Sequence, residues 1–130
     1  MIPLRRTLRY TPRMRYSVLA LLALCASPAL SDPPVIEAVR ADGNGSTYTF
    51  HVTIRHGDTG WDDYADGWRV LDMDGNELGM RVLYHPHVNE QPFTRSLSGV
   101  TVPSGTTRVQ IQARGLVDGW SEDTVTVTLD

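Results

Sequence analysis

The chain contains no lysine and a single cysteine, Cys25, and all twelve of its basic residues are arginines. Five of these arginines lie within the first fifteen residues, whereas all fifteen acidic residues lie at or beyond Asp32. Residues 32–130 therefore carry seven arginines against fifteen acidic residues, a formal charge of −8. A domain this acidic is repelled by phosphate backbones and by anionic membrane surfaces. We therefore expect no nucleic-acid partner.

Residues 1–31 have the pattern of a secretory signal peptide. Arginines at positions 5, 6, 9, 13 and 15 precede an apolar run over residues 18–24, and the small residues Ala29 and Ser31 precede Asp32. Either Met1 or Met14 is compatible with the start of this signal. The apolar run is far shorter than the ~20 residues of a membrane-spanning helix. We therefore expect no stable membrane anchor after cleavage, and a periplasmic or secreted location.

The lone cysteine raises the alternative of a lipid anchor. A lipoprotein signal requires a small residue immediately before the modified cysteine, whereas Cys25 follows the large Leu24. We therefore expect cleavage after Ser31, which removes Cys25 and leaves residues 32–130 without a disulfide. A domain of this length can be held together by its apolar core alone.

Strict period-two alternation predicts the strands. In residues 47–55, Tyr48, Phe50, Val52 and Ile54 point one way and polar residues point the other. Weaker alternation predicts further strands over residues 35–41, 68–71, 78–84, 93–102, 108–114 and 124–129, with a bulge at Ser98 and Gly99. Turns rich in glycine, aspartate and proline separate them. About seven strands and no helical period outside the leader predict an all-β fold, a single two-sheet sandwich over residues 32–130, with a small barrel as the alternative.

The stretch from Tyr84 to Phe93 interrupts this scaffold and suggests a metal site. His85 and His87 are two residues apart, so on an extended backbone their side chains lean to the same side. Imidazole suits copper or zinc. His56 is a candidate third ligand, with Glu90 or Asp58 nearby. Alternatively, these histidines hold a long connection in place through hydrogen bonds to the loop backbone.

Aromatic residues in the turns suggest a different ligand. Trp61, Tyr64 and Trp120 lie in or beside turn segments, among acidic residues such as Asp62. Flat indole faces flanked by carboxylates can hold a sugar ring or form part of a protein interface. Trp68 opens a predicted strand and is expected in the core.

The order of the predicted strands and the length of residues 32–130 resemble the immunoglobulin and fibronectin type III sandwiches. In addition, residues 56–62 (HGDTGWD) and 85–100 (HPHVNEQPFTRSLSGV) look like segments of small exported bacterial proteins of unknown function. The resemblance implies an exported sandwich domain and no particular activity.

The sequence contains no recognisable motif for nucleophilic catalysis. The serines lie outside any Gly-x-Ser-x-Gly turn, and residues 32–130 contain no cysteine nucleophile. The sequence therefore predicts an exported, non-catalytic binding protein. It binds copper or zinc through its loop histidines or, alternatively, a carbohydrate or protein through its loop aromatics without a metal.

Overall fold

The computed structural model describes residues 32–130, together with Pro3 and Pro12. The predicted signal peptide, residues 1–31, thus lies outside the described residues except for those two prolines. Residues 32–130 form eight strands: β1 (Val35–Gly43), β2 (Thr47–Arg55), β3 (Ala65–Leu71), β4 (Glu77–Val82), β5 (Phe93–Thr101), β6 (Arg108–Gly115), β7 (Gly119–Trp120) and β8 (Val125–Thr128). No membrane-spanning helix occurs in this part of the chain.

The strands form two antiparallel sheets. One sheet has the order β1-β2-β5, and the other has the order β4-β3-β6-β7, with β8 also paired to β6. The predicted all-β, two-sheet sandwich is therefore confirmed, with a two-residue strand, β7, in addition to seven longer ones. That strand was expected to be part of a turn, because two residues are too few to display a period.

The core lies between the inward faces of the two sheets. The predicted inward row of β2 is confirmed, since Tyr48, Phe50, Val52 and Ile54 are at most 4% exposed. From the other sheet, Trp68 is fully buried, as expected of a core tryptophan. Removing a Val, Ile or Phe side chain from water contributes roughly 1.5–3 kcal/mol. These rows therefore supply much of the stability of a domain that has no disulfide within residues 32–130.

The predicted bulge in β5 is also confirmed. Tyr48 pairs with Val100 and Phe50 pairs with Leu97, so two residues of β5 lie opposite one residue of β2. Gly99 has a φ of 69°, a conformation that side chains other than glycine rarely adopt. The bulge lets both Leu97 and Val100 pack against the core despite the extra residue.

The antiparallel order decides which loops meet. Because successive strands reverse direction, residues 56–64, 83–92 and 116–118 lie at one end of the sandwich, together with residues 32–34 before β1. We call this end the loop end. Backbone hydrogen bonds tie its parts together, as from Leu116 to the carbonyl of Tyr64. The turns at 44–46, 72–76 and 102–107 lie at the opposite end.

Candidate functional site

A buried carboxylate, Asp58, joins the two longest loops of the loop end. Its Oδ1 accepts hydrogen bonds from His56 Nδ1 at 2.6 Å and from the backbone N–H of Ala65 at 2.9 Å. Its Oδ2 accepts one from the backbone N–H of His87 at 2.8 Å. The Asp58 side chain is 0% exposed. One carboxylate thus fixes the β2–β3 loop, the start of β3 and the β4–β5 loop relative to each other.

His56 provides the positive charge opposite Asp58. Its Nε2 lies 2.8 Å from the carbonyl oxygen of Asp32, which can only accept, so both ring nitrogens act as donors. Burial alone would lower the pKa of His56, but the hydrogen bond and charge of Asp58, followed by the carbonyl and carboxylate of Asp32, outweigh burial and raise the pKa above 6.5. An acceptor at each ring nitrogen, the Asp58 carboxylate and the Asp32 carbonyl, favours the imidazolium form of the ring.

His87 is held differently. Its ring is stacked on Phe93 at 3.9 Å between centroids, and its Nε2 lies 3.0 Å from the guanidinium of Arg95. Burial, then the charges of Arg95 and His85, lower the pKa of His87 below 6.5 against smaller contributions from Glu90 and Asp58. The neutral ring follows from this geometry, because a guanidinium can only donate and Nε2 must therefore accept.

The predicted metal ligands are brought together only in part. His85 and His87 meet edge to face at 4.6 Å, but both nitrogens of His56 are used in the Asp58 and Asp32 contacts. Glu90 is paired with Arg95 at 3.0 Å, and this hydrogen bond lowers the pKa of Glu90. Within residues 32–130, no group of three or more metal-binding side chains is arranged to hold a metal ion.

The predicted aromatic residues fall into two separate groups. Trp61 is 67% exposed and packs edge to face against Tyr64 at 5.9 Å, beside the exposed Asp62. Trp120 instead lies against two guanidinium groups, those of Arg69 at 3.9 Å and Arg114 at 5.1 Å. Its ring is thus already in contact with cations. Of the three predicted aromatic residues, Trp61 is the one whose side chain is exposed to solvent.

Exposed apolar side chains are concentrated at the loop end. Residues 32–130 contain eight exposed large hydrophobic residues, and seven of them lie in or next to the loops of this end. The eighth, Met73, lies in a turn at the opposite end. The seven are Val35, Trp61, Val82, Tyr84, Val88, Leu116 and Val117. The loop end is therefore the part of the described surface that is richest in exposed apolar side chains.

Sequence reasoning missed three features of this end: the burial of Asp58, the contact between Arg95 and His87, and the contribution of the 116–118 turn. The sequence did contain an indication of the first feature, the role of Asp58. His56 and Asp58 are two residues apart, the same spacing that suggested a shared site for His85 and His87. The contact between Arg95 and His87 spans eight residues and depends on the conformation of the β4–β5 loop. The 116–118 turn is placed by the pairing of β3 with β6, which are far apart in the sequence.

Comparisons with known proteins give limited similarity. The chain matches no protein-family model. Over 98 residues it is 36% identical to a protein of Halomicrobium mukohataei named "Putative lipoprotein". The match covers 75% of this chain and 48% of that protein, so the chain spans about half the length of the curated relative it matches. The crystal structure of a hypothetical protein from Pyrococcus horikoshii OT3 is also similar, with 12% identity, a TM-score of 0.45, and coverage of 80% of this chain and 93% of that one.

Proposed function

We propose that this protein is an exported, non-catalytic binding module that takes a protein partner at its loop end. The observation that carries the proposal is the concentration of seven of the eight exposed large hydrophobic residues of residues 32–130 at that end. Exposed apolar groups gathered in one region, rather than scattered singly, are typical of interaction surfaces. Trp61 and Tyr84, which are 67% and 76% exposed, belong to residue types that often dominate the binding energy of interfaces.

The buried hydrogen bonds beneath this surface hold its loops in place, which favours binding. Asp58 holds the β2–β3 and β4–β5 loops together through buried hydrogen bonds, so little backbone freedom remains to be lost when a partner binds. The exposed Asp32, Asp62 and Asp118 add negative charge around the apolar side chains. A partner with a basic rim around an apolar centre fits this arrangement.

The mixture of side chains favours a protein over a carbohydrate. A sugar ring is held by a flat aromatic face with converging polar groups. Here Val88, Leu116 and Val117, all aliphatic, are exposed at the same end as Trp61. Aliphatic side chains provide contact area without hydrogen bonds for hydroxyl groups, which suits the apolar centre of a protein interface.

Metal binding through His85 and His87 has less support. His56 is occupied by Asp58 and Asp32, and the guanidinium of Arg95 lies against His87. The positive charge of Arg95 next to His87 would repel a metal cation bound there. The metal hypothesis therefore stays a prediction, to be tested by the titration described below.

The name of the Halomicrobium mukohataei relative supports export to the cell envelope. Cys25 is the only residue of this chain that a cysteine-linked lipid could modify, whereas the signal pattern predicts cleavage after Ser31. Mass spectrometry of the exported protein distinguishes the two, since a chain beginning at Asp32 is released to the periplasm or medium and a chain beginning at lipidated Cys25 stays on the membrane.

The resemblance to immunoglobulin and fibronectin type III domains likewise belongs to the proposal, supported by the two antiparallel sheets.

Variants at the two ends of the sandwich test the proposal. The purified protein, its Trp61→Ala/Tyr84→Ala variant and its Met73→Ala variant are compared for binding to cell-envelope proteins and to envelope polysaccharides. We expect protein binding that the double variant loses and the Met73 variant keeps. Binding to polysaccharide alone would indicate a carbohydrate ligand instead. Equal binding by all three forms would contradict a binding surface at the loop end.

A further inference from the structure

A small cavity lies where the end of β4 meets the β4–β5 loop. It has a volume of about 220 Å³. Two arginines and two histidines form its polar lining, and apolar side chains form the remainder. The lining includes Arg81, Arg95, His85, His87, Val82 and Tyr84. Such a concentration of donors contrasts with the net negative charge of residues 32–130.

One buried donor in this lining has no partner. Arg95 donates to Nε2 of His87 at 3.0 Å, so the proton of the neutral ring sits on Nδ1. His87 is 5% exposed, and its Nδ1 is buried without a hydrogen-bond partner in the described part of the chain. An unsatisfied buried donor is costly, which makes such a position one where a ligand acceptor is favoured.

Arg81 supplies a second unpartnered donor and an uncompensated charge. Its Nε is buried without a partner, and its Nη1 donates to the carbonyl oxygen of Val82 at 3.3 Å. No carboxylate within residues 32–130 lies in ion-pair contact with Arg81, and those residues contain every acidic side chain of the sequence. Arg95 differs, because Glu90 balances its charge at 3.0 Å.

We propose that this cavity binds the carboxylate group of a small organic ligand, held by Arg81 and by Nδ1 of His87. A carboxylate offers two acceptor oxygens to the two unpartnered donors, and its single negative charge matches the single uncompensated guanidinium. Arg81, Arg95 and Glu90 together leave one positive charge unbalanced. The two negative charges of a dianionic phosphate would exceed it. Val82 and Tyr84 give the organic part of the ligand an apolar wall.

The carboxylate has two sources with the same chemistry, a free organic acid and the C-terminus of a peptide. The cavity lies at the loop end but needs no folded partner protein to be complete. Its ligand can therefore be tested independently of the proposed protein interaction.

Nuclear magnetic resonance of the labelled protein provides the test. Benzoate is added, with benzamide as its neutral counterpart and inorganic phosphate as the competing anion; a short peptide with a free C-terminus and its C-terminal amide form a second pair. We expect saturable shifts from benzoate at Arg81 and His87, including the Nδ1 signal of His87, and none from benzamide. Tighter binding of the free peptide than of benzoate would assign the site to peptide ends, and the reverse to free acids. Equal shifts from benzamide, tighter binding of phosphate, or no saturable shift from either carboxylate would overturn the proposal.

Two arginine variants locate the effect. Arg81→Gln removes the uncompensated charge, whereas Arg108→Gln removes an exposed arginine at the opposite end that also makes no ion pair within residues 32–130. We expect the first to weaken benzoate binding by roughly tenfold or more and the second to leave it unchanged, because hydrogen bonds to charged groups are the stronger ones. Equal affinity in both variants would overturn the assignment to Arg81.

Discussion

The imidazole of His56 and the carboxylate of Asp58 lie 2.6 Å apart, Nδ1 to Oδ1, with side chains 1% and 0% exposed. This buried ion pair is formed by two residues that are almost adjacent in the sequence, yet it organises loops that are far apart. Asp58 holds the backbone of His87, 29 residues later, and His56 holds the carbonyl of Asp32, 24 residues earlier. The pair therefore joins the chain before β1 to the β2–β3 and β4–β5 loops.

Replacement of Asp58 by asparagine is expected to destabilise the fold strongly. The variant leaves the His56 imidazolium buried without its counter-charge, and the asparagine amide cannot accept all three hydrogen bonds that the carboxylate accepts. Breaking a buried pair from one side typically costs roughly 3–5 kcal/mol. The loss is measured as the free energy of unfolding in urea.

The neighbouring Asp63, whose side chain is 34% exposed, provides a matched control. Asp63→Asn should change the free energy of unfolding by less than about 1 kcal/mol, because its 3.8 Å contact with His56 is long and partly exposed to solvent. Similar losses in the two variants would refute the central role given to Asp58.

Stability should fall as the pH rises above 6.5 and through the folded-state pKa of His56. The pKa of His56 is raised above 6.5 in the folded protein, so its contribution is fully present below 6.5 and is lost as the pH rises through the folded-state pKa. Urea unfolding at a series of pH values from below 6.5 upward measures this slope. His56→Gln should flatten it, whereas His85→Gln, at an exposed loop position, should not. A slope unchanged in His56→Gln would show that another group is responsible.

Tight binding of copper(II) or zinc is not expected from the observed geometry. Tryptophan fluorescence during metal titration measures it, with the His85→Ala/His87→Ala variant as the control. We expect no saturable, stoichiometric signal, because His56 is engaged and Arg95 lies against His87. Stoichiometric binding that disappears in the double variant would instead establish the metal hypothesis.

The scaffold was largely predictable because its signal is local. The alternation of Tyr48, Phe50, Val52 and Ile54 predicts both a strand and its buried face, since the period of two is a property of the extended backbone itself. The residues at which the strands begin and end were less predictable. β3 begins at Ala65 rather than Trp68, because its first residues pair with β6, which lies more than forty positions later.

The site was predictable only in part, for the same reason. The sequence suggested a site shared by His56, after β2, with His85 and His87, and the hydrogen bond from His87 N to Asp58 does join these two loops. The role of each residue was not apparent. The sequence suggested His56 and Asp58 as metal ligands rather than as a buried pair, because burial depends on contacts with residues that are distant in the sequence.

A photo-crosslinking amino acid placed at position 61 tests the central claim, that the loop end is the binding surface, most directly. The same substitution at position 73, also exposed but at the opposite end, is the control. Cells exporting each variant are irradiated and the crosslinked products are separated by mass. We predict a discrete protein adduct from position 61 and none from position 73. Identical products from both positions, or none from position 61 while position 73 reacts, would contradict a partner-binding loop end.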